Sequence, residues 1–268
     1  MPDEATKGAR EWDATAYHRL SSPQVSWGKK VLSGLKLRGN EFLMDAGCGT
    51  GRLTAELLQE LPAGRVVGVD LSQNMLATAR DHLRSEFGAR VHFVAADLQD
   101  LPFENAFDGI FSTAAFHWVP DHHRLFRSLF RALHPGGWLR AQCGGGPNLA
   151  RLQKRIDALM ATTKYSSFFA HFRNPWVYNN AETAANLLCQ AGFVEVQPSL
   201  EPAPTSFENP EAYSNFVRTV ILRRHLEEIP DSGLRNEFIT ELARQAVLDE
   251  PPFSLDYWRL NLSGNVPQ

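Results

Sequence analysis

The 268-residue sequence predicts an α/β fold, a doubly wound parallel sheet, from three observations. Short apolar runs alternate with helical patterns between residues 42 and 143, and such alternation implies parallel strands joined by right-handed crossovers. The first two runs end at or beside acids, Asp45 and Asp70. Three alternate glycines, Gly47, Gly49 and Gly51, follow the first of these acids.

Residues 11–37 carry aromatic and apolar positions at helical spacing, broken at Ser21-Ser22-Pro23, and predict one or two helices ahead of the sheet. Strands are expected near 42–46, 65–70, 91–95, 107–112 and 137–143. Helices are expected near 51–60, 72–85 and 121–133, with room for a shorter one between the third and fourth strands. Ser72 and Asp121 are suited to N-capping, because a side-chain oxygen there can accept from the free amides of a first helical turn. His134-Pro135-Gly136-Gly137 stops the helix before the fifth strand, since proline lacks an amide and glycine tolerates a left-handed turn.

After Gly144-Gly145-Gly146-Pro147 the alternation lapses. Residues 149–172 read as helical cap material, with Leu149, Leu152, Ile156 and Leu159 on one stripe. A helix over 181–190, ended by Gly192, leads to a sixth strand at 193–199. Two more helical patterns, near 213–227 and 234–248, precede a final alternating run over 253–262. The expected units are an N-terminal helical lid (1–40), a ligand-binding core (41–146), a helical cap insertion (147–180) and the end of the core sheet (181–268), with a helical insertion near 209–249.

Composition narrows the function. A net charge of −3 gives no electrostatic footprint for nucleic acid or an anionic membrane. Cys48, Cys143 and Cys189 form no C-x-x-C pair, and an odd number offers no disulfide framework, which fits a reducing cytoplasm. The first residues lack the basic start and apolar core of a secretory signal. No apolar run reaches the eighteen residues of a membrane span. A cytoplasmic protein with neither a nucleic-acid nor a membrane partner is expected.

The glycines and acids together point to a nucleoside held over the sheet edge. Gly47, Gly49 and Gly51 let the backbone turn sharply and approach a ligand, and an acid at the second strand end can accept from both ribose hydroxyls. Dinucleotide enzymes use G-x-G-x-x-G. Here Arg52 stands where their third glycine falls, which disfavours a nicotinamide cofactor.

Asp45-Ala46-Gly47-Cys48-Gly49-Thr50-Gly51 resembles the first motif of the class I S-adenosylmethionine (SAM) dependent methyltransferases, and three further motifs follow in order over about residues 40–146. The resemblance implies a Rossmann-like sheet of seven strands, mixed because the last runs antiparallel beside the sixth. It also implies SAM as cofactor and S-adenosylhomocysteine as product. The glycine loop would lie under the methionine part, with Asp45 near its amino group. Asp70 matches the ribose acid, with Leu71 and Met75 near the adenine. Ala96, Asp97 and Leu98 match the motif whose acid faces the adenine amino group, and 107–112, ending at Ser112, is the strand that leads to the methyl group. In relatives the N-terminal segment folds over the cofactor; Tyr17 and Gln24 there either bind the methionine carboxylate or acceptor, or seal the sheet together with Trp27. Lys29 and Arg19 give no clear match to the arginine that some relatives place in this segment.

His117 and Trp118 follow the fourth strand. They serve either as a base or gate and an apolar wall with one N–H, or as packing for the turn. The pair, with the glycine-rich tail after the fifth strand, resembles the carboxyl-directed branch that includes trans-aconitate, malonyl-carrier-protein and juvenile-hormone-acid methyltransferases. The expected reaction is methyl transfer to a small molecule at carboxylate or hydroxyl oxygen. Alternatives are methylation at nitrogen or carbon of a natural-product or quinone-like acceptor, or a SAM-binding subunit without turnover.

The cap offers Phe168, Phe169, His171, Phe172, Arg173, Trp176 and Tyr178, an aromatic cluster with one arginine that would suit an apolar molecule bearing an acid. Arg223-Arg224-His225 reads as a solvated helix face. Asp121-His122-His123 is not read as a metal site, because adjacent helical histidines diverge and no further ligand has metal spacing. The Asn-Pro-Pro-Tyr signature of amino-directed nucleic-acid methyltransferases is missing after the fourth strand.

Overall fold

A computed structural model describes residues 11–14, 18 and 21–268. Helix α1 (Ser22–Ser33) precedes the sheet, and Pro23 opens it in its first turn, where a missing amide costs nothing. Then follow β1 (Phe42–Ala46), α2 (Arg52–Gln59), β2 (Arg65–Asp70), α3 (Gln73–Phe87), β3 (Val91–Ala95), β4 (Phe107–Thr113), α4 (His122–Ala132) and β5 (Leu133–Gly144). Ser72 Oγ accepts from the Met75 amide and Asp121 Oδ1 from the Arg124 amide, so both expected caps form. The segment between β3 and β4 holds no helix; Asp97 instead turns it by accepting from the Gln99 amide at 2.9 Å.

The later elements are α5 (Ala150–Met160), α6 (Ala181–Ala191), β6 (Ser199–Pro202), β7 (Thr205–Ser206), α7 (Pro210–Phe216), a π turn (Val217–Ile221), α8 (Arg223–Glu227), α9 (Ser232–Ala246), β8 (Ser254–Leu255) and β9 (Trp258–Asn265). Three expectations shift here. The sixth strand starts at Ser199 instead of 193, because Glu195 adopts φ +52° and Pro198 has no amide to give the ladder; only an isolated bridge joins Val194 to Asn265. The run over 253–262 divides into β8, which pairs with β7, and the closing strand β9. The helix expected over 213–227 is broken by the π turn.

The main sheet has the order β3-β2-β1-β4-β5-β9-β6. Strands β1 to β5 pair in parallel, and β9 runs antiparallel to both β5 and β6. Alternation along β1 sends Met44 to one face, with Phe107, Phe126 and Leu129, and Leu43 to the other, with Leu57, Leu58 and Val66. Each such fully buried side chain contributes about 1.5–3 kcal/mol. A third apolar cluster joins α5 and the turns up to Trp176 with α7, α9 and Tyr257, so the two cap stretches share one core. No helix among the described residues is long and apolar enough to cross a membrane.

Candidate active site

In an open parallel sheet, ligands lie beyond the C-terminal strand ends where the order reverses, here between β1 and β4. A cavity of about 330 Å³ opens at that edge, and a hollow of about 50 Å³ adjoins it, sharing Gln24, Gly47 and Gly49 as walls.

The glycine loop is fixed from below. The Gly47 and Cys48 amides donate to Val69 O at 2.7 and 3.0 Å, which ties the loop to β2. Gly47 has φ +80°, and a Cβ there would sit 2.2 Å from Ala115 Cβ. Gly49 has φ +54°, and a Cβ there would meet nothing within 4 Å. One glycine thus admits the chain after β4, and the other leaves open room at the cavity.

Asp70 is held in place by its surroundings. Its Oδ2 accepts from the Gly49 amide and its Oδ1 from the Ser72 amide, each at 2.9 Å. A carboxylate has about four acceptor positions. The Leu71 amide is a further donor to this carboxylate, which still leaves acceptor capacity for a ligand hydroxyl. Burial raises the Asp70 pKa above its ordinary value, against the lowering by these backbone donors. Leu71, Met75, Ala96, Asp97 and Leu98 wall the same end of the cavity.

Asp45 borders the small hollow with Cys48 and accepts a 2.6 Å bond from Thr54 Oγ1. Burial pushes its carboxyl up to about 7, and the nearby Asp70 adds to the rise. Gln24 Oε1 is buried without a hydrogen-bond partner among the described residues, in a side chain that borders both spaces. An acid able to take a cation, a carboxylate with acceptor capacity for a sugar hydroxyl and open room above Gly49 fit a sulfonium nucleoside.

His117 and Trp118 sit on a 3-10 turn (Phe116–Trp118) that lines the cavity. The Gly144 amide donates to His117 Nδ1 at 3.3 Å, which assigns the ring proton to Nε2. Burial, helped by the positive charge of Arg259, drives the His117 pKa well below its ordinary value. The neutral ring therefore offers the cavity an N–H. Trp118 packs edge-on against Trp12 at 5.3 Å and against Trp176 at 6.1 Å, while Trp176 stacks on Tyr178.

Several expected residues stand elsewhere. Ala46, Gly51 and Ser112 are absent from the cavity walls: Ser112 Oγ donates to Ala46 O at 2.7 Å inside the sheet, and Gly51 lies against Ala79 and Leu83 of α3. Tyr17 and Arg19 fall outside the described residues. Arg173 is exposed and does not line the cavity. His225 is no part of a solvated face; it is buried between Trp176 at 5.0 Å and Phe172 at 4.6 Å, and burial pushes its pKa down to about 4. His122 bonds Phe116 O and Asn179, which fastens the turn that carries His117.

Sequence reasoning missed Arg259, Asn148, Tyr257, Val220 and Ile221, all of which line the cavity. Arg259 carried the one available signal, an arginine inside an otherwise alternating strand.

Residues 43–137 match the family described as a methyltransferase domain. A trans-aconitate 2-methyltransferase from Escherichia coli O1:K1 / APEC is 36% identical over 132 residues, 49% of this chain and 50% of that relative. The matched stretch thus spans about half the length of the curated relative. Among solved structures, the phosphoethanolamine N-methyltransferase 2 of Haemonchus contortus in complex with SAM superposes with a TM-score of 0.62 at 20% identity, covering 95% of this chain and 57% of that one. The YcgJ protein of Bacillus subtilis gives 0.63 at 17% identity, covering 91% and 99%. At such identities the likeness concerns the fold alone. Residues 43–137, which hold β1 to β4 and the glycine loop between its two acids, are thus similar to the methyltransferase domain of class I SAM-dependent enzymes.

Proposed function

We propose that this chain transfers a methyl group from SAM to a carboxylate oxygen of a small-molecule acid. The observation that carries this reading is the state of His117. Its Nδ1 lone pair is taken by the Gly144 amide and its pKa is far below neutrality, so it donates a hydrogen bond and abstracts no proton. An acceptor that is already an anion needs no base.

SAM, when bound, supplies an electrophilic methyl on a cationic sulfur that leaves as a neutral thioether as the new O–C bond forms. Asp45 would hold its ammonium end, Gly47 and Gly49 would pass beneath it, Asp70 would take the ribose, and Leu71, Met75 and Asp97 would flank the adenine. His117 Nε2–H would hold the acceptor carboxylate, and Trp12, Trp118 and Trp176 would exclude water. Alignment of this kind supplies about 7–11 kcal/mol in favourable intramolecular reactions. The relatives named trans-aconitate 2-methyltransferase, whose name gives an organic acid as acceptor, support the choice of oxygen.

The test is a screen of carboxylic acids with methyl-labelled SAM, followed by mild alkali. A carboxyl methyl ester hydrolyses and releases labelled methanol. An alkali-stable label would overturn the reading in favour of nitrogen, carbon or ether oxygen.

A further inference from the structure

We propose that Arg259 binds the anionic group of the acceptor, and that the acceptor is a small monoacid with an apolar body; this refinement rests on the carboxylate reading above. The topology places the arginine. Because β9 is antiparallel, its first residues lie at the C-terminal edge of the parallel strands, where Arg259 pairs in register with Gly144 at the end of β5. Asp70 ends β2 and Asp97 comes after β3, so the cavity is acidic at one end of the strand order and cationic at the other.

Arg259 is the only arginine or lysine among the described residues that line the cavity, and it is 2% exposed. Its guanidinium is set by Gln142 Oε1 at 3.4 Å from Nε and by the face of Trp27, 4.6 Å away. Glu201 stands opposite it on β6, is bound to Lys30 at 3.0 Å and also lies in the field of Arg259. A planar guanidinium already removed from water matches a carboxylate in shape and charge. His117, which senses the charge of Arg259, supplies a neutral N–H beside it.

Much of the remaining wall is apolar, which suits an acceptor with a single anion. Trp118, Trp176, Leu149 and Tyr257 are joined by Val220 and Ile221, two consecutive residues that the π turn brings to the same surface. A tricarboxylate would set two further anions against these groups. In the reaction a carboxylate oxygen lone pair forms the O–CH3 bond, the methyl–sulfur bond breaks with its electron pair kept by sulfur, and no proton moves. The ester has lost the charge on which Arg259 acts, which favours release.

The experiment is calorimetric titration of the S-adenosylhomocysteine-loaded protein with octanoate, octanamide and trans-aconitate. Octanoate is expected to bind about tenfold or more tighter than octanamide. Arg259→Met should erase that preference and leave S-adenosylhomocysteine affinity unchanged, and Arg259→Lys should keep part of it. If the Met variant fails to fold, the Lys variant must still show a severalfold loss in the acid-over-amide ratio. Equal binding of acid and amide, an unaltered ratio in the variants, no octanoate binding at millimolar concentration, or tighter binding of trans-aconitate would each overturn the proposal. An alkali-stable label in the acceptor screen defeats the carboxylate reading itself, whereas an alkali-labile label with an unchanged KM in Arg259→Met defeats only the role of Arg259.

Discussion

Asp45 and His117 are two residues at the site whose ionisation burial distorts strongly, and each leads to a pH-dependent expectation. The Asp45 carboxyl rises to about 7 when buried, so between about pH 4 and 7 the folded chain keeps a proton that the unfolded chain has released. Stability of the free protein should therefore fall as pH rises across that window. A bound cation favours the ionised form, so the rise in Tm caused by SAM should be larger at pH 7.5 than at pH 5.5, and Asp45→Asn should flatten the difference. For His117 the expected signature is the opposite, a flat rate between pH 6.5 and 8.5 with an acid substrate. Replacement by Phe should cost about 1.5–3 kcal/mol in kcat/KM, the value of a hydrogen bond to a charged group, without tilting the profile. A slope that disappears in His117→Phe would instead mark a base. The places of Asp45 and Asp70 at strand ends and of His117 just after the fourth strand were legible in the sequence, because they follow from local pattern. The direction of the His117 proton was not, because it is set by the Gly144 amide 27 residues away.

At the scale of elements, the glycine loop separates folding from binding. Gly47→Ala sets a Cβ against Ala115 at φ +80° and should destabilise the protein by about 2–4 kcal/mol, read from denaturant midpoints. Gly49→Ala meets no protein atom; it should cost only about 1–2 kcal/mol of stability and yet weaken SAM by about tenfold or more in calorimetry. Equal losses in both assays for both variants would contradict the division of roles. Strands β1 to β5 and their helices follow the pattern that the sequence carries, since apolar alternation and the Ser72 and Asp121 caps are local. The π turn was hidden, because Val217–Ile221 has the composition of an ordinary apolar helix face. The displaced start of β6 traces to Glu195 in a left-handed conformation, an unusual position for a residue other than glycine, asparagine or aspartate.

For the molecule as a whole, the cap is a second core that ionic bonds help to close. Asp249, 6% exposed, takes two bonds from Arg155 at 2.6 and 3.0 Å and lies 3.2 Å from Arg151, joining α5 to the chain after α9. Asp249→Asn should cost about 2–3 kcal/mol, less than a fully buried pair because Arg151 is partly exposed. Hydrogen exchange should then show faster opening of α5 and α9 while β1 to β4 stay protected; uniform loosening would refute a separately held cap. This association was not legible in the sequence, because 149–176 and 213–257 meet only through tertiary packing. The placement of β9 carries a consequence for biosynthesis. Strands β5 and β6 reach one another only through residues 258–265, so a nascent chain still short of that stretch leaves two unpaired borders exposed on the ribosome. The same late segment delivers Arg259, which means that the domain acquires its final hydrogen-bonded seam and its cationic pocket wall in a single event of synthesis.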